Sequence, residues 1–367
     1  MNFVIAQTDL SKGLKVVSHA VASGRCSHPI LTHVLLEANA SGLMLTAFDL
    51  SLSISTEIAA TVETQGRTCV PARVLSDLIA RLNSDDAVSI SADDSHSIQI
   101  VTAGGTYRLA GDDPDGYPAL PVIEPGTLEL SAEDLKAAIE ATIAAASKDE
   151  SKQILQGVFL QTDDDTLELA ATDGHRLIVY GSIQGGDAPG HAIPATAIRE
   201  VLGLDSETVR VGFHDGHVAF GGGSTTIRSR VFEGKYPNYR QLIPKSFTVV
   251  IRLDRKLFIQ ALERVAIIAE QFNNIIRLNY DDGIGVVTIS SEHETGFGSE
   301  QLLPKASSGK ALVIAANVRY ITEAARSIHS ADIEIWANTA AAPFLLRPVG
   351  DDQPDQLALI MPVQVRT

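Results

Sequence analysis

ILTHVLLEANASGLMLTAFDL at residues 30–50 and ILQGVFLQTDDDTLELAATDG at residues 154–174 are two copies of one design, offset by 124 positions without a gap. Leu36 and Leu160, Leu43 and Leu167, Leu45 and Leu169, and Asp49 and Asp173 coincide. A looser third copy, IIRLNYDDGIGVVTISS at 275–291, keeps the apolar–polar alternation but not the aspartate. A fixed internal period decides the architecture, so everything else is read from it. The flanks repeat as well. Each copy opens with a short strand and a helix: FVIAQTDLSKGLKVVSHAV from Phe3, LELSAEDLKAAIEATIAAA from Leu128 and VIRLDRKLFIQALERVAII from Val250. A second strand–helix unit follows in each, from Cys69, Ala192 and Leu312. Each copy closes on an apolar stretch with proline: YPALP (117–121), YPNYRQLIP (236–244) and IMPV (360–363). The expected domains are 1–121, 122–245 and 246–367, with IEPGT at 123–127 as a linker punctuated by Pro and Gly.

Within a copy the pattern reads strand, helix, three strands, then the same again. Leu10, Leu14, Val17 and Val21 show helical spacing over 8–23, with Thr8 as the expected N-cap. Residues 43–48 and 97–102 alternate like half-buried strands, and Asp215-Gly216 between His214 and His217 is a hairpin signal. The expected fold class is α+β: three tandem repeats of a pseudo-duplicated βαβββ domain.

The chain has 367 residues, 45% of them hydrophobic, enough to build cores. Aromatics are 5%, too few for a base-stacking binder of single strands. The net charge of −16 excludes a general nucleic-acid glue, which needs a basic footprint. The charge is unevenly placed, however. The six predicted helices (8–23, 71–83, 131–148, 194–204, 254–270 and 316–328) carry twelve basic and ten acidic residues, net +2, which leaves about −18 for the rest. Helices could thus face DNA while sheets face solvent. Two cysteines, Cys26 and Cys69, read as reduced thiols, and no apolar run of about 18 residues is present. A cytoplasmic protein with no membrane segment is expected.

Signs of chemistry are few. There is no phosphate-cradling P-loop, and the glycines at 221–223 lie between strand-like segments, as a turn or bulge. His214 and His217 flank a predicted turn with no further ligand nearby, so no metal site is expected. Asp173-Gly174-His175-Arg176 is the most suggestive cluster, but copy one has Asp49-Leu50-Ser51-Leu52 there. The aspartate therefore reads as a turn former, and the rest as a loop specialised for binding. No catalytic residue and no cofactor are expected. The alternatives are a hydrolase-like enzyme using Asp173, His175 and Arg176 in a cleft at a domain junction, and a repeat scaffold that never meets DNA.

Three modules in a row leave a sheet edge at either end, and such edges invite pairing. Two chains joined head to tail would close as a ring of six modules lined by twelve helices. At ATDGHRL (171–177), VPAR (70–73), YPNYRQLIP (236–244), ANVRY (316–320) and IMPV (360–363) the sequence resembles the β sliding clamps of bacterial DNA polymerase III, over its full length. The resemblance implies a DNA clamp fold and a homodimeric ring that encircles double-stranded DNA without reading bases. As partners it implies DNA polymerase III core, a clamp-loader ATPase and other clamp-binding-motif proteins. It implies a peptide pocket at Thr172, Gly174, His175, Arg176, Leu177, Pro237, Gln241, Leu242, Asn317, Tyr320, Ile360, Met361, Pro362 and Val363. Arg176 and His175 would hold polar groups of the peptide. DNA-facing residues would be Arg25, Arg73, Lys12, Lys15, Lys148 and Lys152, and the dimer edge Tyr107, Leu109, Ile267 and Ile268. Gln241 and Gln364 stand where the family often has arginine, so peptide preference is expected to differ in polar detail.

Overall fold

The computed structural model describes residues 1–23, 28–126, 128–163, 166–184, 188–271, 273–294, 296–350 and 354–364. Copy one runs β1 (Asn2–Ala6), α1 (Gln7–Val17), β2 (His33–Asn39), β3 (Gly42–Phe48), β4 (Leu52–Ile58), β5 (Thr61–Thr64), β6 (Gly66–Pro71), α2 (Ala72–Ile79), β7 (Ala87–Ala92), β8 (Ile98–Thr102) and β9 (Gly105–Leu109). Copy two runs β10 (Leu128–Ser131), α3 (Ala132–Ile143), β11 (Gly157–Asp163), β12 (Thr166–Thr172), β13 (Arg176–Gln184), β14 (His191–Pro194), α4 (Ala195–Glu200), β15 (Thr208–His214), β16 (His217–Gly222) and β17 (Thr225–Arg230). Copy three runs β18 (Val249–Asp254), α5 (Arg255–Ala269), β19 (Ile275–Asp281), β20 (Val286–His293), β21 (Gly296–Leu302), β22 (Ala306–Ser308), β23 (Leu312–Asn317), α6 (Val318–Ser327), β24 (Asp332–Ala337), β25 (Phe344–Pro348) and β26 (Gln356–Ile360). Every copy is βαβββ twice over. Copies one and three each add one short edge strand, β5 and β22, that the repeat did not announce.

The chain forms two compact units, 1–132 with 196–231, and 133–195 with 232–367. The first holds a five-stranded sheet, β5-β1-β7-β8-β9, and an eight-stranded one, β10-β15-β16-β17-β4-β3-β2-β6. The β17–β4 pair, with Ile227 opposite Ile54, makes one sheet out of strands from two copies. The α1 and α2 helices pack side by side. Leu10, Leu14 and Val17 are buried while Lys12 and Lys15 face solvent, as the spacing requires. Thr8 is not the N-cap. The helix starts at Gln7 without a side-chain cap, because tertiary partners serve instead: the Gln7 N–H donates to Asp86 O (3.0 Å) and its amide donates to Ile79 O (2.7 Å). It also ends at Val17 and tightens into a 3-10 turn over Ser18–Ala20, so it is shorter than 8–23. Asp215 (φ 46°) and Gly216 (φ 70°) form the expected tight hairpin, with His214 opposite His217.

The second unit holds a nine-stranded sheet, β14-β11-β12-β13-β26-β25-β24-β18-β22, and a four-stranded one, β21-β20-β19-β23. Here β13 of copy two pairs with β26 of copy three. The α5 and α6 helices pack together, and α5 lies on β20 and β21. α3 ends at Ile143, five residues before the expected end, so Lys148 lies in the loop that follows. Trimmed to their observed bounds, the six helices carry ten basic and eight acidic residues, still net +2. No described helix is long and apolar enough to cross a membrane.

Candidate functional site

The repeat explains the loop between β12 and β13. Asp49 accepts the N–H groups of Ser51 (2.8 Å) and Leu52 (2.7 Å), and Asp173 accepts those of His175 (2.9 Å) and Arg176 (3.0 Å). The two aspartates build the same Asx turn. The residue after each is left-handed, Leu50 at φ 77° and Gly174 at φ 92°; copy two has the glycine that relieves the strain there. Thr172 completes the turn: its hydroxyl donates to Arg176 O (2.6 Å) and accepts the Gly174 N–H (3.1 Å). The turn carries two neighbours to opposite faces of the sheet.

Arg176 goes to the face on which Ile360 and Phe344 lie opposite it in register. It is buried. Its Nε donates to Asp173 (3.2 Å), its two Nη groups donate to the Glu323 carboxylate and the Ala144 carbonyl, and its guanidinium lies 4.4 Å from the Tyr320 ring centre. With these three donors engaged inside the fold, Arg176 holds the loop in place while also lining an open cleft. Asp173 and Arg176 are not poised as an acid–base pair. Burial, then the nearby Asp173 charge, push the Tyr320 hydroxyl upward in pKa. Asn317 caps α6 through the Arg319 N–H (2.9 Å). An open cleft of about 400 Å³ is lined by Lys148, Lys152, His175, Arg176, Asn317 and Tyr320 among others.

Leu177 goes to the other face, opposite Leu359, which is in turn opposite Leu345. These three join Ala170, Val179, Tyr236 and Tyr239 in one apolar cluster, with Ile243, Phe247 and Trp336 packed at its margin. The YPNYRQLIP segment roofs it. Tyr236 stacks on Phe159 (4.6 Å between centroids), and Tyr239 bonds to Glu168, which also holds Arg240 through two 2.9 Å contacts. Pro237 and Gln241 are exposed on this roof. Leu242, Met361 and Val363 are the exposed apolar residues of the segment and the tail, at 54%, 39% and 36%. Ile360 is fully buried on the Arg176 face, so it does not line the apolar side. Leu359 takes that place, because strand alternation sends adjacent residues to opposite faces. Beyond β26 the backbone is latched on both sides: Met361 N–H donates to His175 O (2.9 Å) and Val363 N–H to Ala315 O (2.7 Å). His175 thus contributes its carbonyl to the latch while its side chain stays exposed.

Of the expected DNA-facing residues, Lys12 and Lys15 are exposed on α1 and Arg73 on α2, 3.9 Å from Asp77. Lys148 and Lys152 are exposed, and Lys152 Nζ donates to Asp173 O at 3.4 Å. Arg25 lies outside the described residues. Tyr107 and Leu109 sit on β9, an edge of the five-stranded sheet. Ile268 packs towards Gly296 and Gly298 of β21, an edge of the four-stranded sheet, while Ile267 lies in the groove between α5 and α6. Among the described residues no three His, Cys, Asp or Glu side chains are grouped to hold a metal.

The sequence matches three family models: DNA polymerase III beta subunit, N-terminal domain over 1–121, central domain over 129–238 and C-terminal domain over 240–364. The chain belongs to the DNA polymerase III beta-subunit family. It is 37% identical to the beta sliding clamp of Synechococcus elongatus, over the whole of both chains. The sliding clamp structure from Bacillus subtilis superposes with a TM-score of 0.93 at 28% identity, covering both chains fully. A sliding clamp from Bartonella birtlesii bound to griselimycin does so at 0.91 and 26%, again over both chains. The fold is that of the DNA clamps, and the function is that of a sliding clamp, a processivity factor of DNA replication.

Proposed function

We propose that two copies of this clamp close head to tail into a ring of six modules around duplex DNA, with copies bounded at 1–121, 122–245 and 246–367. The observation that carries the reading is that β9 is one edge of the five-stranded sheet in copy one and β21 one edge of the four-stranded sheet in copy three. Each edge has apolar residues beside it, Tyr107 at 38% exposure and Ile268 over β21. Joining them removes both edges, which strand physics favours. The apolar cluster of Leu177 and Leu359, with Leu242, Met361 and Val363 exposed, would receive short apolar motifs from DNA polymerase III core, a clamp-loader ATPase and other partners. Griselimycin on a relative of the same fold supports ligand uptake by such clamps. No catalytic role is assigned: the clamp works by enclosure, in the cytoplasm where replication runs.

Enclosure predicts weak direct affinity. A ring of two chains at −16 each carries −32, so few phosphates are neutralised. Binding of an unloaded ring to short linear duplex should be weak and fall steeply with salt in an anisotropy titration. Tight binding at about physiological salt without a loader would contradict it.

A further inference from the structure

The α5–α6 helix pair carries a regular ionic pattern. Arg326 Nη2 lies 2.7 Å from Glu263, and Arg319 Nη2 lies 3.4 Å from Glu270. The two arginines are seven residues apart on α6, and the two glutamates seven apart, Glu263 on α5 and Glu270 at its C-cap. The two pairs are therefore successive rungs of an antiparallel helix pair, about 10 Å apart at 1.5 Å per residue. The groove between the rungs, about 220 Å³, is lined by Ala266, Ile267 and Thr322. Arg264, also on α5, is held by Glu300 through contacts of 2.7 and 2.9 Å. Three of the five cations on α5 and α6 are thus already opposite a carboxylate. On the helix pair of copy one Arg73 likewise lies 3.9 Å from Asp77, whereas among the described residues Lys12 and Lys15 have no carboxylate within 4.0 Å.

The rungs are half exposed, so as ion pairs they add little stability. Their effect on a polyanion is larger. A phosphate that approaches Arg319 or Arg326 meets a glutamate charge at the same place, and a cation already neutralised releases no counterion from DNA. We propose that Glu263 and Glu270 keep the α6 arginines from engaging phosphates, so that α6 of copy three lets enclosed DNA slide past without being gripped. The proposal rests on the reading that the helices face the duplex.

The test is an E263Q/E270Q clamp, verified as a dimer, titrated with a ~30-bp linear duplex between ~50 and ~200 mM salt. If the two freed arginines each take up a phosphate, the slope of log K against log salt steepens by about 1.8, and the affinity ratio between those two salts widens about tenfold. Adding R319Q/R326Q to that background should restore the wild-type slope. A D94N/E292Q clamp makes the same charge change at exposed sites off these helices and should keep the wild-type slope. A wild-type slope in E263Q/E270Q, or equal steepening in D94N/E292Q, would overturn the proposal while leaving the ring intact. Failure of the wild-type clamp to stay on closed circular DNA would overturn the ring reading and this proposal together.

Discussion

Deleting residues 361–367 should abolish binding of QLxLF-type peptides while the protein remains a folded dimer. The sheet should survive the deletion, because β26 keeps its register with β13 and β25 up to Ile360. What goes is the tail that Met361 N–H ties to His175 O and Val363 N–H ties to Ala315 O. Met361 and Val363 are among the few large apolar side chains left exposed near the Leu177–Leu359 cluster. An unbranched methionine adapts to several partner side chains, which suits a site shared between proteins. A peptide anchored by two or three apolar residues would lose roughly 2–4 kcal/mol with one wall of its groove. That weakens a complex of about 1 μM to between about 30 μM and about 1 mM. Fluorescence anisotropy decides it: unchanged affinity in the truncated protein would move the site elsewhere.

Tyr107→Ala combined with Ile268→Ala should convert the dimer to monomers at nanomolar concentration without unfolding the domains. Tyr107 is 38% exposed on the edge strand β9, so its removal opens no cavity in a core. Ile268 is half-buried over Gly296 and Gly298 of β21, where the two glycines let it lie close to the strand. Each truncation at the centre of an interface costs on the order of 1–3 kcal/mol, and a head-to-tail ring contains that interface twice. Sedimentation velocity should show the loss. A dimer that persists, with the circular dichroism of the wild type, would place the interface on other residues.

The repeat made most of the fold legible. Leu36 and Leu160, aligned by a constant offset, are both fully buried, and so are Leu43, Leu45, Leu167 and Leu169. Asp49 and Asp173, paired by the same offset, make identical turn hydrogen bonds. Periodicity and local turn chemistry are properties of short sequence, and they carry through to three dimensions. The site was legible as a set of segments but not as faces. LALI at 357–360 is apolar throughout, so it has no alternation to tell Leu359 from Ile360; only the pairing with Leu177 and Arg176 does. The burial of Arg176 depends on Glu323 and Tyr320, 147 and 144 residues further on, partners that no local pattern announces. The α1 start departs from the local pattern for a similar reason: Gln7 is satisfied by Asp86 and Ile79, distant in sequence, which overrides the local capping preference of Thr8. The edge strands β5 and β22 are only four and three residues long, too short to show a period.

Retention on circular DNA tests the central claim most directly. The clamp would be loaded by a bacterial clamp-loader ATPase onto a singly nicked plasmid, passed over a gel-filtration column at about 0.5 M salt, and then challenged with a restriction enzyme that linearises the circle. Electrostatic contacts are strongly screened at that salt, so only enclosure should hold protein on DNA. The account predicts that the clamp co-elutes with the circle and is released on linearisation. Loss from the intact circle, or equal retention on circular and linear DNA, would contradict it.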